Sequence, residues 1–304
     1  MRKQALLTEQ QIEAFISRHR LPAKFNGLIE AHYLPLATWV VQQRVANQTL
    51  LIGINGAQGA GKSTLAAFLR LALKSAAGWR VAVLSIDDFY LTKQERMRLA
   101  LRVHPLLVTR GAPGTHDLRL LSACIEDLKI LSADTKIHIP FFDKAKDERA
   151  STDTWPEIIG PVDVIILEGW CVGSVPQQED ALRQPINSLE EQQDKSGEWR
   201  QFVNDQLAGA YAELFAELDA LVFLQAPDFD AVYRWRLKQE EKLAAITRDK
   251  SAGIMNKKQI AGFIQHYERI TRANLAVLPE TADVVLELDA SHDCVHSHYA
   301  TRLN

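Results

Sequence analysis

Residues 56–63 read GAQGAGKS, entered by the apolar run TLLIGIN (49–55) and left by STLAAFLRLAL (63–73). The spacing G-x-x-x-x-G-K-[S/T] is met by Gly56, Gly61, Lys62 and Ser63, and it predicts a strand, a tight turn and a helix in that order. Glycines let backbone N–H groups curl around phosphate oxygens with no Cβ in the way, and the start of the following helix adds its positive end. The candidate nucleotide-phosphate cradle is therefore the whole turn: Gly56, Ala57, Gln58, Gly59, Ala60, Gly61, Lys62, Ser63 and Thr64. In such a turn the lysine reaches the β- and γ-phosphates of ATP and the hydroxyl ligates Mg²⁺.

Outward from this turn, short runs rich in Val, Ile and Leu alternate with helical patterns: LLIGI, RVAVLSI (80–86), KIHIP (136–140), DVIILEG (163–169), ALVFL (220–224) and DVVLEL (283–288). Strands apolar on both faces with helices between them predict a parallel sheet covered on both sides, a doubly wound α/β P-loop fold. From Glu9 to Val45 apolar residues recur at helical spacing, interrupted by Pro22 and Pro35. That stretch is expected to form a helical cap (residues 1–48) on a main domain spanning 49–304. The polar stretch 173–199 shows no sustained period and reads as a long surface insertion within that domain.

Composition removes several classes of function. Of 304 residues 47% are hydrophobic, enough for a full core, and the net charge of −3 (35 basic, 38 acidic) offers no long-range field for nucleic acid or an anionic membrane. Cys124, Cys171 and Cys294 are far apart and odd in number, with no CxxC and no zinc spacing, which suits a reducing compartment. The N-terminus turns polar before a signal sequence could form, and no later stretch approaches about 20 apolar residues. A soluble, cytoplasmic protein acting on a small molecule is expected, as a monomer or a homodimer.

A second subsite belongs at the carboxyl ends of neighbouring strands, where open parallel sheets bind their ligands. Two strands there end in acids. After VAVLSI come Asp87, Asp88, Phe89 and Tyr90, and after VDVIIL comes Glu168. A carboxylate beside a phosphate loop can take a hydroxyl proton or hold Mg²⁺. Asp87 is the candidate base and Glu168 the candidate for the metal or the acceptor; Ser63, Asp87 and Glu168 form the expected metal set. Either acid alone could equally cap a helix or a turn.

The combination GAQGAGKST, SIDDFYLT, HPLLVTRGAPGTHDLRLL, IPFFDKAKDERA, VIILEGWCVG and VYRWRLKQE resembles the P-loop kinases that phosphorylate D-glycerate. More broadly the chain is similar to the superfamily of phosphoribulokinase, uridine kinase and bacterial pantothenate kinase. The resemblance spans about residues 50–290 and implies phosphoryl transfer from Mg·ATP to a hydroxyl of a small metabolite. Carried over by residue, it keeps Lys62 and Ser63 in the roles above, makes Asp87 the equivalent of the base and Asp88 a polar neighbour, and sets Glu168 near metal and acceptor. It also leads TRGAPGTHDLRLL into a helix beginning at Asp117, with Arg110 and His116 near the acceptor.

On this reading the acceptor pocket comprises Asp87, Tyr90, Arg110, His116 and Lys144. A glycerate carboxylate needs a cation, and the fork of Arg110 suits it best, with Lys144 and Arg149 as further candidates. In related kinases a lid helix brings arginines over the transferring phosphoryl group. Here Arg234 and Arg236 would join Lys62, Asp87 and Glu168 as the catalytic set, with Arg234 and Lys238 sharing one helix face. Each of these cations could instead be a solvated surface charge, and Trp235 is read as packing. The cluster His292, Asp293, Cys294, His296 and His298 invites a metal reading that we set aside, because Mg²⁺ is supplied elsewhere. Uridine, pantothenate or ribulose phosphate remain alternative acceptors. A nucleotide switch is the rival class, but its N-K-x-D reader is missing: Asn256-Lys257-Lys258-Gln259 lacks the acid.

Overall fold

The computed structural model describes residues 6–246 and 255–300. Its main sheet contains β1 (Leu50–Gly56), β2 (Val81–Ser85), β3 (Val164–Gly169), β4 (Ala220–Gln225), β5 (Val284–Leu288) and β6 (Cys294–Tyr299). They lie in the order β6-β5-β4-β1-β3-β2. The first five are mutually parallel, and β6 pairs antiparallel with β5. The sheet is thus mixed at one edge, where residues 294–299 add the strand that the polar sequence there conceals. The run KIHIP does not join it: Lys136–His138 pairs antiparallel with Glu157–Ile159 in a separate two-stranded ribbon. Its outer residues are exposed, so it lacks the burial on both faces that a central parallel strand requires.

Helices cover both faces. The larger ones are α1 (Glu9–Arg18), α2 (Leu34–Gln43), α3 (Lys62–Ala77), α4 (Lys93–Arg102), α5 (Leu118–Ile130), α6 (Glu198–Gln206), α7 (Phe229–Ile246) and α8 (Lys257–Thr281). Alternation along β1 sends Leu50, Ile52 and Ile54 into one core with α1, α2 and α3, and Leu51 into the other, with α4, α5 and α6. The same alternation along β3 divides Val164 and Ile166 from Ile165 and Leu167. Among the described residues no helix is long and apolar enough to cross a membrane.

The N-terminal helices share the core of the phosphate-loop helix. Phe15 of α1 meets Phe68 of α3 edge-on, with ring centroids 5.5 Å apart, and Tyr33 approaches the same ring at 5.3 Å. Stretch 173–199 is polar for a reason that its lack of period hides. Two of its six acids face inward: Glu190 pairs with Arg269 of α8 at 2.6 Å and Asp194 with Arg200 of α6 at 2.9 Å, all four side chains being almost fully buried. Buried charges persist only when paired and hydrogen-bonded, and both arginines also donate to carbonyls, Arg269 to Ala181 and Arg200 to Leu182.

Truncating Phe68 to Ala should cost about 3–5 kcal/mol in urea denaturation, the loss expected where a buried aromatic leaves a cavity. A loss below about 1 kcal/mol, in the range of surface substitutions and minor repacking, would mean that α1 and the Tyr33 segment merely rest on α3.

Candidate active site

Parallel register aligns the strand ends. Glu168 lies opposite Ile54 on one side and Ser85 on the other, so the carboxyl ends of β2, β3 and β1 stand side by side. The loop 56–63 leaves β1 at this edge. Gly61 sits at φ 100° as the residue before α3, and no side chain caps the helix. A Cβ there would meet open space, so the backbone angle rather than crowding demands glycine. The first-turn amides are left for an anion. Lys62 folds back, its Nζ donating to Gly56 O at 2.8 Å and Ala57 O at 3.1 Å. Burial lowers its pKa, while Glu168 and Asp87 favour its charged form.

The two acids named by the sequence converge on this turn. Ser63 Oγ donates to Glu168 Oε1 at 2.9 Å, and Glu168 is only 6% exposed. Asp87 sits in a single 3₁₀ turn after β2, Ile86–Asp88. Its Oδ1 accepts from the Tyr90 hydroxyl at 2.7 Å and its Oδ2 from Lys144 Nζ at 2.8 Å. Burial alone would raise its pKa, but the Lys144 charge and the two hydrogen bonds outweigh it and hold the carboxyl at about 2. Asp87 is thus an anion with a resident cation. Its neighbour goes the other way: burial lifts Asp88 to about 6, although it accepts from Phe142 N–H at 3.3 Å.

On the acceptor side, Tyr90 stacks on His116 with ring centroids 4.6 Å apart. His116 is pushed down to about 4 by burial, so it is neutral at pH 7. Its Nδ1 lies 2.6 Å from the Tyr211 hydroxyl, which also accepts from Gly114 N–H at 2.9 Å. In the tautomer in which that hydroxyl donates to Nδ1, the imidazole proton sits on Nε2. Nε2 is buried and has no partner. Arg110 engages Asp147 and lies over the Phe142 ring at 5.7 Å, and Asp147 also takes Arg96 at 2.9 Å. Arg149 is spent on Asp117 at 2.9 Å and Tyr90 O at 3.1 Å.

The two arginines expected on a lid part company. Arg234 is 52% exposed, with Asp228 at 3.9 Å. Arg236 turns inward to Glu240 at 2.8 Å and over the Phe263 ring of α8 at 6.0 Å. Trp235 between them touches the cradle: a Cβ on Gly59 would stand 3.1 Å from its Cβ. Its indole stacks on His292 at 4.0 Å, and His292 Nε2 meets the Gly59 carbonyl. His298 pairs with Glu287 at 2.7 Å. The C-terminal histidines therefore face different partners.

A hard divalent cation fits the donors present, an Oγ and a carboxylate in contact beside an open phosphate cradle. Among the described residues no three His, Cys, Asp or Glu side chains form a metal cage, and Mg²⁺ held largely by substrate phosphates needs none. The Gln58 carboxamide, with both polar atoms buried and unpartnered in the turn, adds polar capacity there. Sequence reasoning missed Asp147, Arg96 and Tyr211; each acts through a partner 37 to 95 positions away, or, for Arg96, 51 positions away, with no local motif to mark it.

A family model described as the phosphoribulokinase / uridine kinase family matches residues 51–182. The chain is 31% identical over 264 residues to the chloroplastic D-glycerate 3-kinase of Arabidopsis thaliana, covering 81% of this chain and 54% of the plant protein. It therefore spans about half the length of that relative. It is 34% identical over 234 residues to the kinase mug58 of Schizosaccharomyces pombe, covering 74% and 81% of the two chains. Among solved structures, a D-glycerate 3-kinase from Cryptococcus neoformans var. grubii superposes with a TM-score of 0.73 at 27% identity, covering 89% of this chain and 99% of the other.

The raised Asp88 carboxyl fixes a sign. Between pH 3.8 and about 6 the folded state holds a proton that the unfolded state has lost, so this group lowers stability as pH rises. Asp88→Asn keeps an acceptor for Phe142 N–H and removes the penalty. In metal-free buffer it should exceed the wild type by about 1–2 kcal/mol at pH 7 and match it near pH 3; an equal difference at both pH values in urea titrations overturns this assignment.

Proposed function

The chain belongs to the phosphoribulokinase/uridine kinase family of P-loop kinases, and from that premise we propose that it acts as the D-glycerate 3-kinases it resembles do, transferring the γ-phosphoryl group of ATP to a hydroxyl of D-glycerate. The observation that carries this reading is the pair of contacts Ser63–Glu168 and Lys144–Asp87 at adjacent strand ends, 2.9 and 2.8 Å. One contact lies at the phosphate cradle and the other one strand away, as donor and acceptor sites for direct transfer require.

The loop amides and Lys62 hold the β- and γ-phosphates, and Lys62 reaches them by releasing its two loop carbonyls. Bound Mg²⁺, held by Ser63 and Glu168 with Asp87 nearby, would neutralise phosphate charge. Asp87 accepts a hydrogen bond from the acceptor hydroxyl and orients it. With its pKa near 2, it is a weak base, and a loose transition state asks little basicity of it. Lys144 must yield part of its hold on Asp87 and then serves the incoming anion. The acceptor carboxylate is met by Arg110, whose partner Asp147 stays neutralised by Arg96, and by the unpartnered His116 Nε2–H. Arg236, the inward arginine, steadies the transferring group. We take the enzyme to be cytoplasmic, since its three cysteines are free and buried.

ATP turnover with Mg²⁺ should be measured against D-glycerate, L-glycerate, uridine, pantothenate and ribulose 5-phosphate, with products identified by mass and phosphorus NMR. Stereospecific phosphorylation of D-glycerate is expected. Transfer to another acceptor, or to none, sinks the substrate assignment. Lys62→Ala should lower kcat/KM by roughly 10²–10³, as loss of preorganised charge stabilisation does. Arg236→Ala should cost more activity than Arg234→Ala, and the reverse order would displace Arg236 from the site.

A further inference from the structure

Tyr267 belongs to no motif. It sits on α8 with its ring edge-on to Trp170 at 4.8 Å and against Phe263 at 5.1 Å, and it is only 5% exposed. Its hydroxyl abuts Gly111, where a Cβ would stand 2.3 Å from the phenolic oxygen. Trp170 Nε1 fixes that stretch by donating to Gly111 O at 3.2 Å. The hydroxyl therefore lies between the loop that carries Arg110 and the end of β3 that carries Glu168. Around it stand charges of both signs: burial raises its pKa, Asp87 raises it further, and Arg110 and Arg236 oppose them.

Among the described residues nothing hydrogen-bonds to this hydroxyl. The hydroxyl is not among the fully buried unpartnered polar atoms, so it keeps a surface that a ligand can reach, and Phe would fill the same space without offering it a hydrogen bond. A ligand that supplies the missing acceptor accounts for the group.

The height of Tyr267 is set by the polar insertion. Leu189 N and Ser188 Oγ both donate to Gln265 Oε1, at 2.7 and 2.9 Å. Asn187 Nδ2 reaches Gln265 O and Glu268, each at 3.1 Å. Arg269 closes the strap with Glu190 and the carbonyls of Ala181 and Gln184. Residues 265–269 of α8, the turn that presents Tyr267, are thus bound on the outside by residues 181–190.

We propose that the Tyr267 hydroxyl donates a hydrogen bond to the carboxylate of the acceptor beside Arg110, and that residues 181–190 act as a strap that positions it. The inference rests on the glycerate reading and assigns that reading a further specificity residue and a role for the insertion.

Tyr267→Phe tests it. The variant should raise KM for D-glycerate about tenfold, the effect of one lost hydrogen bond to a charged group. KM for ATP and the melting temperature should stay unchanged. Gln265→Ala, which unties the strap without touching substrate, should raise KM for D-glycerate about threefold, and Gln265→Glu, which keeps the acceptor oxygen, should restore it. A wild-type enzyme active on D-glycerate whose Tyr267→Phe variant keeps the same KM overturns the Tyr267 assignment alone. Equal KM for Gln265→Ala and wild type overturns the strap. No turnover of D-glycerate by the wild type overturns the parent reading, and this inference with it.

Discussion

The register that sets Glu168 between Ile54 and Ser85 is the constraint on which the rest depends. It brings together three strand ends more than 20 positions apart in sequence: the glycine-rich turn, the 3₁₀ turn bearing Asp87, and Glu168 itself. A slip of one residue along β3 would point Glu168 into the opposite core. The apolar alternation that divides Val164 and Ile166 from Ile165 and Leu167 between two hydrophobic layers is what prevents the slip. Packing thus fixes the position of a charged group.

The charged groups at that edge are each engaged before any ligand arrives. Lys144 occupies Asp87, Ser63 occupies Glu168, and Asp147 occupies Arg110. Such pairing keeps like charges from destabilising a buried cleft, at the cost of contacts that the proposed anionic substrate would have to exchange. Asp147 is suited to exchange because a second guanidinium, Arg96, remains with it. Asp88 alone of the cluster carries a raised carboxyl pKa without a cation of its own.

Legibility in sequence followed distance along the chain. The cradle was readable because its chemistry lies in consecutive residues, and the five parallel strands because burial on both faces leaves uninterrupted apolar runs. Asp87 and Glu168 were found by their places at strand ends. The 294–299 strand was hidden because it lies at the sheet edge, where only one neighbour and one face demand apolar residues, so His296 and His298 stand exposed. KIHIP misled for the converse reason, an apolar alternation spent on a small ribbon. Tyr267, Asp147 and the inward acids Glu190 and Asp194 had no local signature, since their partners are supplied by tertiary packing. Of the two arginines expected on a lid, helical spacing showed that they diverge, but only the placement of Phe263 decides which turns inward.

The antiparallel strand β6 has a bearing on where the sheet stops. It follows β5, whose sequence VVLEL is a short apolar ribbon that without β6 would have unpaired amides on one side. Left uncovered, that edge would be suited to pairing with another copy. The strand that covers it is poor in such templating: it is six residues long, its register shifts between Cys294 and His296, and its outward residues include two histidines. At this edge β6 therefore works as a terminator of sheet growth, while β2 forms the sheet's other edge.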